Sequence, residues 1–106
     1  MLRAYDLVRR AVTLARLEDV RESSASEVVV INSTLRLTPI HPVYVNGGWK
    51  PAGEIIVGDQ LLGEDGSSQT VETMGRIRGR VRVFDLRAAQ PHDFFADGYL
   101  VHNKSR

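Results

Sequence analysis

Three histidines, His41, His92 and His102, hold most of the proton-transfer capacity of this cysteine-free chain. Imidazole is the side chain whose ordinary titration falls near neutral pH. His41 closes the stretch Thr38-Pro39-Ile40-His41-Pro42, where two prolines restrict the backbone and keep a hydroxyl and an imidazole in one short loop. His92 stands between Pro91 and Asp93-Phe94-Phe95, and His102 precedes Asn103 after the apolar run Tyr99-Leu100-Val101. A His-Asn pair has one specific chemical possibility. The asparagine side-chain amide can attack its own backbone carbonyl, form a succinimide and cut the chain after itself. That reaction needs a base for the amide, an acid for the leaving amine and donors for the developing oxyanion. Asp85 could orient one of the imidazoles and stabilise its cation. It reads equally well as a strand aspartate paired with a nearby arginine. Taken singly, each histidine also fits an ordinary loop or half-buried position.

The elements that must position these groups are short strands. All nine glycines and all four prolines lie after residue 38, and turn signals recur every few residues from Ile31 onward. Asn46-Gly47 between Val43-Tyr44-Val45 and Trp49 is a hairpin signal, because both central positions accept positive φ. Gly58-Asp59, Asp65-Gly66 and Asp97-Gly98 mark further turns. Runs of β-branched and aromatic residues predict strands at 27–32, 35–37, 43–45, 60–62, 70–77, 81–88, 94–96 and 99–101. Glu22 to Ser26 reads as a short polar loop. Residues 1–21 are ambiguous. Leu2, Tyr5, Val8, Val12 and Ala15 recur at helical spacing, whereas Val12-Thr13-Leu14 and 17–21 could pair across a turn near Arg9-Arg10. Pattern alone favours a helix at about 2–20. Trp49, Ile55, Ile56, Leu61 and Leu62 are expected in the core, with Phe84, Phe94, Phe95 and Tyr99 filling its opposite half. Arg76, Arg78, Arg80 and Arg82 form a basic stripe on a solvated strand face or a protected edge.

Composition narrows the classes. The 106 residues are 42% hydrophobic and 25% charged, with a net charge of +1, values of a folded single domain rather than a disordered chain. Without cysteine there is no disulfide framework, thiolate metal site or cysteine nucleophile. Near-neutral charge argues against broad binding to nucleic acid or anionic membrane. No apolar run reaches the roughly 20 residues that span a bilayer, and no signal-peptide core is visible. A monomer is expected, and cellular location is left open.

Taken in order, TPIHP, GWKPAGEIIVGDQLL and VFDLRAAQPHDFFADGYLVHN closely resemble the Hint (Hedgehog/intein) superfamily, and more particularly its bacterial intein-like autoprocessing domains. The likeness covers roughly residues 27–103. It implies an all-β, horseshoe-like fold of short strands and hairpins, with residues 1–106 forming one Hint-like domain, the C-terminal portion of a complete one. It implies that Thr38 and His41 polarise an N-terminal scissile amide, and that Asp85 assists both cleavage steps. His92 then activates the terminal asparagine, His102 is the penultimate histidine and Asn103 the residue that cyclises. It further implies that 2–6 is a strand paired with 12–20, which demotes the helix to an alternative.

Two departures shape the expected activity. Members of the superfamily open with a cysteine or serine nucleophile about two strands ahead of Leu2, a segment this sequence does not carry. Without it no acyl shift can occur within this polypeptide, unless a separate N-terminal fragment completes the domain. Splicing also needs Cys, Ser or Thr after Asn103, where Lys104 stands. The expected reaction is therefore cofactor-free, single-turnover cleavage after Asn103. Its partners are the flanking segments in cis and a complementary Hint fragment. Two alternatives stay open: an inert Hint-like interaction module within a larger protein, and a zinc site of His41, His92, His102 and Asp85.

Overall fold

The structure, a computed structural model, describes residues 1–103; the expectations for Lys104 and the two residues after it lie outside the described residues. The chain is all-β apart from one turn of 3₁₀ helix at Ala52–Glu54. β1 (Leu2–Asp6) and β2 (Ala11–Ala15) form an antiparallel hairpin, from Leu2 opposite Ala15 to Asp6 opposite Ala11. The hairpin that the resemblance implied is thus present, with 2–6 paired to 11–15 rather than to 12–20, and the alternative helix at 2–20 is ruled out. On a helix Val8 and Val12 would share a buried stripe with Tyr5, but Val8 sits in the turn 94% exposed and Val12 is 38% exposed. Arg10 at φ 56° closes the turn, and Ala4, Tyr5 and Ala15 enter the core instead.

β3 (Leu17–Ile31) pairs along its length with β9 (Met74–Ala88) and, at its inner end, with β4 (Leu35–Leu37). The predicted loop at Glu22 to Ser26 is thus mid-strand, and the separate strands 70–77 and 81–88 belong largely to one continuous β9. Polar composition misled because this part of the ribbon is solvated on both faces. Cross-strand ion pairs help hold it: Arg76 and Arg78 reach Glu27, and Arg82 meets Glu22 at 2.8 Å. The basic stripe is therefore largely neutralised in place. Gly79-Arg80 opposes the single residue Ser26, a bulge that requires φ of 120° at Gly79.

The third sheet runs in the order β10 (Asp93–Ala96), β11 (Tyr99–His102), β5 (Pro42–Val45), β7 (Gln60–Leu62) and β8 (Ser68–Thr70), with β6 (Gly48–Pro51) also on β5. The Asn46-Gly47 and Asp97-Gly98 turns close hairpins with positive φ at all four residues, as their types demand. Val29, Ile31, Leu35, Val43, Leu61 and Val101 meet in the buried centre, each contributing about 1.5–3 kcal/mol of transfer free energy. Five expected core residues are outside it: Trp49 is 40%, Phe84 57% and Ile56 64% exposed, and Leu62 and Phe95 are half-buried. Among the described residues no helix is long and apolar enough to cross a membrane.

Candidate functional site

The loop carrying Thr38 and His41 is clipped from both sides. His41 N–H donates to Thr38 O at 3.0 Å, Ala52 N–H to His41 O at 2.9 Å, and Gly53 N–H to Pro39 O at 2.8 Å. The 3₁₀ turn thus holds the loop in place. Gly53 packs so closely on it that a Cβ there would lie 3.0 Å from Pro39 Cβ. Both Thr38 and His41 are buried, and His41 Nε2 lies 3.0 Å from His102 O. A carbonyl only accepts, so this contact places a proton on Nε2.

From His41 the contacts lead into the C-terminal segment. His102 Nδ1 lies 2.9 Å from Asn103 O, which likewise makes Nδ1 the donor. Its ring stands edge-on to Trp49 at 4.8 Å between centroids. Asn103 N–H donates to His92 O at 2.8 Å. The Asn103 side chain pairs both ways with the Ala88 backbone: Nδ2 donates to Ala88 O and Oδ1 accepts from Ala88 N–H, each at 2.9 Å. His92 Nδ1 approaches the same Ala88 oxygen at 3.3 Å. His92, at φ 66°, and the Asn103 amide therefore converge on one acceptor. Nδ1 carries the proton in that contact, so Nε2 is left as the basic nitrogen.

Asp85 is on β9, opposite Arg21 of β3 in the register. It lines an open cleft of about 270 Å³ with Thr38, His41 and Val83. The structure thus gathers His41, His92, His102 and Asn103 into one hydrogen-bonded chain and puts Thr38, His41 and Asp85 around the adjoining cleft. Among the described residues the Thr38 hydroxyl is the buried side-chain polar atom without a hydrogen-bond partner. No three or more His, Asp or Glu side chains among the described residues are arranged to hold a metal ion, so the zinc alternative gains no support.

Sequence reasoning missed two neighbours of this site. Trp49, expected in the core, packs against His102. Asp93 is only 1% exposed and accepts the Tyr5 N–H at 2.9 Å. Burial pushes its carboxyl up to about 6, against the pull of that hydrogen bond and of the nearby imidazoles. Its signal was present in the Asp97-Gly98 turn, whose two-residue loop sets Asp93 opposite His102.

This curled all-β architecture, with a histidine-asparagine end folded against a Thr-x-x-His loop, defines an intein-like domain of the Hint fold. Residues 9–105 match the pretoxin Hint domain family, to which the chain belongs. Among solved structures it is similar to a bacterial intein-like domain from Clostridium thermocellum, at 26% identity and TM-score 0.77 over 88% of this chain and 73% of that one. The DnaB intein from Synechocystis sp. PCC 6803 gives 21% identity and TM-score 0.81 over 98% and 78% of the two chains. The DnaX mini intein from Spirulina platensis gives 22% and 0.76 over 96% and 80%. No curated protein sequence matches the chain.

Proposed function

We propose that this domain cuts its own polypeptide after Asn103 by cyclisation of the Asn103 side chain. The observation that carries the reading is the 2.9 Å contact from His102 Nδ1 to the carbonyl oxygen of Asn103, the atom on which negative charge develops. A donor already aimed at that oxygen stabilises the tetrahedral intermediate without reorganisation. His92, whose Nδ1 shares the Ala88 oxygen with Nδ2, is the base once its ring turns to present Nε2 to that amide, and it takes the proton from Nδ2. The Ala88 N–H on Oδ1 draws charge from the amide and eases that loss. Nδ2 then bonds to the Asn103 carbonyl carbon, the bond to the nitrogen of Lys104 breaks, and that nitrogen leaves with the proton that His92 took from Nδ2. The products are a chain ending in a succinimide and a new amino terminus at Lys104. His41, through His102 O, keeps the preceding peptide from rotating.

Lys104 cannot receive an acyl group as Cys, Ser or Thr would, so cleavage, not ligation, is the outcome. The family's name suggests a pretoxin precursor, from which cleavage would release whatever follows Asn103. Thr38, His41 and Asp85 are assigned to an N-terminal junction. The cleft between them, with its unpartnered hydroxyl, supports a second partner, a Hint fragment supplied from elsewhere.

One observation favours quiescence instead. The Asn103 amide is paired at both its atoms with Ala88, and it must leave that oxygen to reach its own carbonyl. An inert interaction module would keep this pair permanently. Intact-mass spectrometry of the chain with a C-terminal extension, beside Asn103→Ala, separates the two. Loss of the extension in the parent alone, leaving a product one water lighter than the free acid, is expected. Persistence of the full mass in both establishes the inert module.

A further inference from the structure

Asp93 is a buried carboxylate for which the reaction above has no use. The register of the β10–β11 hairpin pairs it with His102. The Asn103 N–H to His92 O bond marks 92/103 as a hydrogen-bonded pair. The adjacent 93/102 pair is then of the non-hydrogen-bonded kind, in which opposing side chains on one face approach most closely. One carboxylate oxygen is held by the Tyr5 N–H, so β1 fixes where the charge sits. The charged groups that face it are His102 from β11, His92 beside it and Asp6 from β1. The two imidazoles draw its proton off, whereas Asp6 opposes its ionisation.

We propose that Asp93 is a positioning residue for cleavage after Asn103: its carboxylate stabilises the His102 imidazolium and so keeps the Nδ1 donor directed at the Asn103 carbonyl. The inference rests on the reading of Asn103 as the cyclising residue, and it goes beyond that reading by naming what controls His102. Burial sets the carboxyl near 6, so the partner charge appears as pH rises through that value. Below it Asp93 is neutral, and His102 is held only by Trp49 and its own hydrogen bond.

The test begins with the uncleavable Asn103→Ala chain, where proton NMR follows the His102 ring against pH with and without Asp93→Asn. Asparagine retains an acceptor for the Tyr5 N–H and removes only the charge. The expected result is that the inflection due to Asp93 is lost from the titration of the His102 ring. An unchanged His102 titration overturns the proposal. If Asp93→Asn does not fold, the Asn103→Ala chain alone decides: the His102 resonance either shows a second inflection near pH 6, as expected, or shows none, which overturns it. In the cleaving chain, Asp93→Asn is expected to flatten the rise of rate between pH 5 and 7, whereas a uniform loss of rate at every pH counts against the idea. Absence of cleavage in the parent would remove the reading of Asn103, yet the NMR titration would still decide whether Asp93 controls His102.

Discussion

A buried hydroxyl that bonds to nothing costs roughly 1–3 kcal/mol, and Thr38 Oγ1 is such an atom. Thr38→Val keeps the volume and removes the unsatisfied oxygen, so it should stabilise the domain by about 1 kcal/mol, read as a higher urea midpoint. A loss of stability would mean that the hydroxyl has a partner in solution. Asn103 sits in a different balance. In the proposed cleavage His92 and His102 would each supply a proton-transfer or oxyanion contact, and such groups typically contribute about 10²–10⁴-fold. Replacing either with alanine should slow release of a C-terminal extension by that range, with Asn103→Ala abolishing it; time-resolved mass spectrometry provides the rates. Asn46-Gly47, the other succinimide-prone pair, is held differently. Asn46 Nδ2 donates to Asp59 at 3.0 Å and its Oδ1 accepts from Gln60 N–H at 2.9 Å, which fixes the amide in the turn.

Among the elements, the 3₁₀ turn at Ala52–Glu54 has the most direct hold on the site, because Gly53 backs onto Pro39 in the loop of Thr38 and His41. Gly53→Ala would place a methyl 3.2 Å from the Pro39 carbonyl oxygen as well as against its ring. Crowding of this kind typically costs about 1–3 kcal/mol, and the displaced loop should also move His41 from His102. A lower denaturation midpoint together with shifted His41 and His102 resonances is expected; unchanged resonances would show that the loop gives way elsewhere. The hairpins that bracket the site were legible because Asn-Gly and Asp-Gly suit positive φ at both turn positions. The β3–β9 ribbon was not, since no local signal announces a strand through Glu22 to Ser26. Its partners, Val81 to Phe84 on β9, are supplied from far along the chain.

For the molecule as a whole, two buried carboxylates give stability opposite dependences on pH. Asp59 accepts from Ile56 N–H at 3.0 Å and also from Asn46 and Lys50. These contacts, the Ile56 bond foremost, hold its carboxyl below the usual range despite the opposing cost of burial. Its contribution is present above the unfolded value near 3.8 and is lost as pH falls through its lower folded value. Asp93 is raised from 3.8 to about 6, so it contributes fully below 3.8, and that contribution is lost as pH rises through about 6. Stability from this pair should peak near the bottom of that interval. Asp93→Asn should remove the decline towards pH 7, an effect of at most about 3 kcal/mol, measured by urea denaturation at pH 4.5 and 7. Residue types and order alone marked the turns and the three histidines, and the likeness of the ordered motifs to the Hint superfamily implied the all-β class and the candidate set Thr38, His41, Asp85, His92, His102 and Asn103. Tertiary structure alone decided that the N-terminal hairpin pairs 2–6 with 11–15, that Trp49 faces His102, and that Ala88 holds the Asn103 amide. Turn chemistry is local and visible in residue types. Which face is buried, and which backbone atoms meet, depends on pairing between distant strands.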